Sequence, residues 1–150
     1  MIFVGIDPGI EGGIGIIDED NNAVAYKYTS AKLIEITKHF KEHHSDVKFY
    51  VEQVHAMPHQ GVKSMFTFGS GFGKILGILE ALNAEYYLVK PQSWKKGMHV
   101  TADKATSIAK CKELYPTTCL KPTTRCRVDH DGLAEAVLIA AYGKKIARNK

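Results

Sequence analysis

The run Ile2-Phe-Val-Gly-Ile6, four of its five residues apolar, passes straight into Asp7-Pro-Gly9. A short apolar stretch halted by turn residues is the pattern of a strand buried on both faces. Asp7 then takes the last strand position, where a central sheet meets solvent. A carboxylate there is costly to desolvate unless a donor or a cation meets it. Two explanations follow. Asp7 hydrogen-bonds its own turn, or it belongs to a metal or phosphate site at the C-terminal edge of a central strand. Other carboxylates arriving at comparable positions would decide between them.

With 150 residues and 45% hydrophobic content, the chain is expected to form one globular domain over residues 1–150 with a sizeable core. No apolar run approaches the roughly 20 residues that span a bilayer, and the N-terminus lacks the pattern of an export signal. A cytoplasmic protein without membrane association is expected. Cys111, Cys119 and Cys126 are odd in number and include no CxxC pair, so free thiols are expected rather than a disulfide framework or a zinc site with His130. The net charge of +4 is unevenly placed: residues 1–75 sum to −2 and residues 76–150 to +6. A basic half of this kind suggests a polyanionic partner, nucleic acid first.

Past the first turn, Gly12 to Asp18 and Ala23 to Tyr28 read as two further strands, joined by the polar turn Asp18–Asn22. Short turns between strands imply an antiparallel meander. Ser30 is a candidate cap for a helix carrying Leu33, Ile36, Thr37 and Phe40 at helical spacing. Val47 to Val54 returns to strand character, with Glu52 near its C-terminal end. After a loop holding Pro58 and Gly61, a helix is expected from about Ser64 to Leu82. Gly69, Gly73 and Gly77 recur on one of its faces, a spacing tolerated where another backbone must come close. That neighbour is either a second copy of the chain or the chain's own sheet. Glu85 to Val89 is a fifth strand, and Pro91 opens a short helical turn through Trp94, Lys95 and Lys96. Thr101 is a candidate cap for a helix over residues 102–115. Residues 116–128, with Lys121, Arg125 and Arg127, read as a mobile basic loop, and a last helix is expected over residues 129–147.

In that last helix Asp131 and Glu135 lie four residues apart and share a face near its N-terminus. Such a pair is often a solvated acidic face at a favourable dipole end. Here Leu133, Ala134, Val137 and Leu138 surround it, so the carboxylates sit among inward-packing residues and need cations. If the Val47 strand lies beside the first, Glu52 joins Asp7 in one crevice at the carboxyl ends of strands, where ligand sites of open α/β sheets fall. Asp7, Glu52, Asp131 and Glu135 together can hold two hard divalent ions through oxygen ligands, the arrangement used for phosphodiester hydrolysis.

The motifs Gly5-Ile-Asp-Pro-Gly9, Val51-Glu-Gln-Val54, Pro91 followed by Trp94-Lys95, Ala102-Asp-Lys104 and Asp131-Gly-Leu-Ala-Glu-Ala136, in that order, resemble the RuvC family of Holliday-junction resolvases, and within it the small phage and viral members. The resemblance spans nearly the whole chain. It implies an α/β RNase H-like fold: a five-stranded mixed sheet, the first three strands antiparallel, flanked by helices. It also implies a homodimer that nicks opposed strands of branched DNA, using Mg2+ or Mn2+ and no nucleotide cofactor. Asp7, Glu52, Asp131 and Glu135 match the family's metal-binding carboxylates. Lys95 and Lys104 match its basic residues near the scissile phosphate, Lys96 being an alternative to Lys95.

Besides the competition of Lys95 and Lys96 for one role, this sequence departs from the family pattern in two further places. The closing acidic pair is commonly two aspartates three apart, so Asp129 or His130 competes with Asp131 and Glu135 as ligand. The phenylalanine that wedges into the junction is replaced by His55, leaving His55 or Met57 for that role. Lys96, Lys121, Arg125 and Arg127 are expected to contact DNA. Three other readings compete: a relaxed debranching or flap nuclease, a junction-binding protein without cleavage, and an actin-like nucleotide-binding fold, for which the chain is short and lacks a second phosphate loop.

Overall fold

A computed structural model describes all residues, 1–150. The chain runs β1 (Ile2–Asp7), β2 (Gly13–Ile17), β3 (Ala23–Lys27), α1 (Ser30–Glu42), β4 (Val47–Glu52), α2 (Val62–Ala81), β5 (Tyr86–Val89), α3 (Pro91–Gly97), α4 (Lys104–Leu114) and α5 (Asp131–Arg148). The sheet order is β3-β2-β1-β4-β5. β1 pairs antiparallel with β2, and β2 with β3. β4 lies parallel to β1, and β5 parallel to β4. The five strands, the meander and the mixed sheet are those expected from the sequence. No helix is long and apolar enough to cross a membrane.

Side chains of a strand alternate between the two faces of a sheet, and the two core clusters follow that alternation. Val4, Ile6, Phe49 and Val51 pack with Leu33 and Ile36 of α1 and Ile75 and Leu79 of α2. Phe3 and Tyr50 pack on the opposite face with Trp94, Cys111 and the apolar residues of α5. Asp7 and Glu52 share the phase of Phe3 and Tyr50, so both carboxylates belong to the α5 side. Ile6 is in register with Val51; Asp7 and Glu52 are therefore the next residues of two adjacent parallel strands.

Helix α5 is the centre of that layer. Gly132 through Ala141 are all buried, a burial that runs right round the helix and beyond the Leu133, Ala134, Val137 and Leu138 positions noted in the sequence. It is made possible by Gly5 and Gly15, which are partners across β1 and β2. A side chain on Gly5 would collide with the backbone of Ala136 and Ala140, and one on Gly15 with the backbone of Ala136 and Val137. Helix and sheet thus meet backbone to backbone.

Several boundaries move from expectation. Thr29, not Ser30, caps α1, its hydroxyl accepting from the Lys32 N–H at 3.0 Å. Asp103, not Thr101, caps α4, accepting from the Ala105 N–H at 3.0 Å; its carboxylate stands at the position where α4's first free N–H groups need an acceptor. β4 ends at Glu52 rather than Val54, and α5 starts at Asp131 rather than Asp129. Residues 116–128 form the expected loop, but it is fastened: Leu120 is buried, its carbonyl accepts the His130 N–H at 2.8 Å, and Thr118 donates to the Ala23 carbonyl at 3.1 Å.

The reading of the α2 glycines as packed on the chain's own sheet is overturned. An added side chain at Gly69, Gly73 or Gly77 meets nothing within 4 Å; α2 is buried on the sheet through Ile75 and Leu79, and the glycines face outward.

Candidate metal and nucleic-acid site

The C-terminal ends of β1 and β4, the N-terminal turn of α5, the last turn of α3 and the start of α4 surround a cavity of about 400 Å3. Asp7, Glu52, Asp131, Glu135, Lys95 and Lys104 all line it. Residues scattered over most of the chain are gathered there because strand alternation aims Asp7 and Glu52 at the layer that α5 occupies.

Asp7 is buried, and its Oδ1 accepts the Gly9 N–H at 3.2 Å, so it also closes its own turn. Burial, then the nearby charges of Glu52 and Glu135, push its carboxyl up to about 7. Glu52 is also raised by burial, against the Trp94 indole N–H, which donates to its Oε2 at 2.7 Å. Glu135 is 3% exposed. The Lys104 ammonium donates to both its oxygens at 3.2 Å and lies 3.5 Å from Asp131 Oδ2. Partial burial works against the charge on Lys104, but Glu135 foremost, with Asp7 and Asp131, holds its pKa above the usual lysine value. Lys95 lines the cavity with its ammonium 5.6 Å from the centre of the Trp94 ring.

The acid cluster therefore carries surplus negative charge, with Lys104 the one cation in direct contact with it. No three of its acids close into a metal-ligand set as they stand. The donor chemistry still fits a hard divalent ion: four carboxylates, no sulfur or imidazole, and a buried aspartate that ionises only near neutral pH. In this arrangement Lys104 holds two of the acids that such an ion would take.

The competing residues fall elsewhere. Asp129 is ion-paired with Lys112 and with Lys121, the latter at 3.0 Å, and those contacts hold its carboxyl below the usual range. Neither Asp129 nor His130 lines the cavity, and neither does Lys96, which is exposed. His55 and Met57 are exposed in the segment between β4 and α2, outside the cavity wall. Arg125 and Arg127 are exposed on the loop without ion-pair partners, whereas Lys121 is engaged by Asp129. Cys111 is buried and Cys119 exposed, all three cysteines being free.

Sequence reasoning missed three contributors. Glu11 and Phe68 line the same cavity, and Trp94 grips Glu52. Glu11 follows the Asp7-Pro-Gly turn so closely that its proximity was readable. Phe68 and Trp94 looked like ordinary apolar helix positions, and only the tertiary contacts distinguish them.

A mixed sheet of this order, with acids closing adjacent parallel strands and opening the helix packed on them, is the RNase H-like fold. Solved RuvC structures are similar to this chain in fold. Thermus thermophilus RuvC in complex with Holliday junction substrate superposes with a TM-score of 0.68 at 17% identity, covering 99% of this chain and 96% of that one. A second Thermus thermophilus RuvC structure gives 0.62 at 18%, with the same coverage. The yeast mitochondrial Holliday junction resolvase Ydc2 gives 0.51 at 14%, covering 93% of this chain and 75% of its own. No protein-family profile and no curated protein sequence matches the chain.

Proposed function

We propose that the chain is a metal-dependent endonuclease that resolves four-way DNA junctions by paired nicks in opposed strands. The observation that carries this reading is the gathering of Asp7, Glu52, Asp131, Glu135, Lys95 and Lys104 into one cavity on a fold shared with RuvC. Asp7, Glu52, Asp131 and Glu135 would hold two Mg2+ ions, Mn2+ substituting. Bound there, the ions supply water activation and neutralise charge on the phosphodiester. Lys95 and Lys104 place fixed positive charge where the phosphoryl oxygens gain negative charge. Lys121, Arg125 and Arg127 lie on an exposed loop suited to DNA phosphates, and the cytoplasm is the proposed location. A homodimer presenting two such cavities accounts for paired cuts, and the outward glycine face of α2 is its proposed seam.

The assay is a labelled four-way junction with Mg2+. Symmetrical nicks that disappear in Asp7→Asn, with junction binding retained, support the reading; cleavage unchanged by that substitution refutes the site. A second reading, junction binding without cleavage, draws on the grip of Lys104 on Glu135 and Asp131, which leaves no closed ligand set. Tight binding in Ca2+ with no cuts in either Mg2+ or Mn2+ selects it. Equal rates on junctions, flaps and linear duplex would instead indicate a relaxed branched-DNA nuclease.

A further inference from the structure

Trp94 is the chain's one tryptophan and is fully buried, yet its single polar atom is committed. The indole N–H donates to Glu52 Oε2 at 2.7 Å, and Glu52 Oε1 takes no hydrogen bond within the chain. The two residues come from β4 and α3. The ring is fully buried in the core cluster that also holds Leu133, Val137 and Leu138, so the donor is less free to move than the partly buried carboxylate.

We propose that Trp94 is a positioning residue for Glu52: its N–H locks the carboxylate in one orientation and leaves Oε1 as the oxygen offered to a divalent cation. This rests on the metal-site reading above and deepens it. The choice of donor has a chemical logic. An indole donates without charge and accepts nothing, so it orients Glu52 while leaving the full negative charge for the cation. Lys104 does the reverse at Glu135, where orientation comes with neutralisation. Glu52 is thereby the acid most ready to take an ion, and Glu135 the one that must first exchange a partner. Outer partners of this kind commonly change metal affinity by about 10- to 100-fold when removed.

Having one tryptophan makes the test direct, because the 15N-labelled chain gives a single indole N–H resonance. Mg2+ is titrated into the DNA-free protein while that resonance is followed, and calorimetry is run in parallel on the wild type, Trp94→Phe and Glu52→Gln. The expected result is an indole shift that saturates with the calorimetric midpoint, and affinity about tenfold weaker in Trp94→Phe, whose circular dichroism confirms that it is folded. The wild-type resonance needs no variant, so poor folding of Trp94→Phe would not hide the answer. Calorimetric binding with a motionless indole signal and equal affinity in Trp94→Phe overturns the positioning role and leaves the metal site standing. Absence of Mg2+ binding in the wild type, or undiminished binding in Glu52→Gln, overturns the ligand role of Glu52 and the positioning role with it.

Discussion

Lys104 stands 3.2 Å from each oxygen of Glu135, a carboxylate almost sealed from solvent. The lysine itself is more than half exposed, so the pair is worth far less than a fully buried one. Lys104→Met is expected to cost about 1 kcal/mol of metal-free stability, because Glu135 loses its cation. The same change is expected to tighten Mn2+ binding several-fold, a competitor for the acids having gone, while abolishing cleavage. Denaturant unfolding and calorimetry together check the opposite signs. Weaker Mn2+ binding in Lys104→Met would contradict the competition.

Asp7 supplies a pH dependence whose sign is fixed by its shift. Its carboxyl ionises near 3.8 when unperturbed and at about 7 in the folded chain, so the folded form keeps a proton that the unfolded form releases. Stability of the metal-free protein should therefore fall as pH rises from about 4 to about 7 and level off above that. Asp7→Asn lessens this decline, leaving the share of Glu52, whose carboxyl is also raised, and its thermal midpoint near pH 8 in EDTA should exceed that of the wild type. Parallel midpoint-versus-pH curves for the two proteins would show that Asp7 is not the group responsible.

The basic loop predicts an unequal salt response. Each lysine or arginine that neutralises a DNA phosphate contributes about 0.9 to the slope of log affinity against log salt. Arg125→Ala and Arg127→Ala should each lower the slope by about that amount. Lys121→Ala should lower it less, because Asp129 already holds that ammonium. Fluorescence anisotropy on an immobile junction in Ca2+, measured across salt concentrations, tests the order. A larger effect at Lys121 than at Arg125 and Arg127 would reverse it.

The glycines of α2 separate a monomer from a dimer by opposite outcomes. Nothing in the chain lies near a side chain added at Gly73 or Gly77. In an isolated chain Gly73→Ala and Gly77→Ala should each stabilise α2 by about 0.5–1 kcal/mol. Where a second copy packs on that face, Gly73→Leu is expected to halve the mass found by light scattering without unfolding the protomer. An unchanged dimer mass in Gly73→Leu would remove this face from the interface.

Much of this architecture is legible in the residues. The apolar run into Asp7, the short turns of the meander and the parallel return at Val47 carry their own periodicity, and all five strands follow from it. The four carboxylates are readable for the same reason: each breaks an apolar element near its end, where a charge is costly. What the sequence hides depends on contacts between distant segments. Phe68 and Trp94 obey the ordinary pattern of buried helix positions, so nothing local marks the first as part of the cavity wall or the second as a donor to Glu52. The separation of Asp129 from the cavity depends on Lys112 and Lys121, one on α4 and the other in the loop that follows. Cap positions shifted because Thr29 competes with Ser30, and Asp103 with Thr101, at spacings one or two residues apart.

The bare contact of α5 with Gly5 and Gly15 divides the protein into a fixed bed and an adjustable rim. With no side chain between helix and strands to act as a spacer, Asp131 and Glu135 cannot tilt relative to Asp7 without opening the core. On the proposed function, accommodation to differently bent DNA falls to the outer pieces: Lys104 at the tip of α4, Lys95 on the short α3, and the irregular stretch between β4 and α2. Selection for new substrates should accordingly find its tolerated changes in those pieces, and few in the paired glycines beneath the acids.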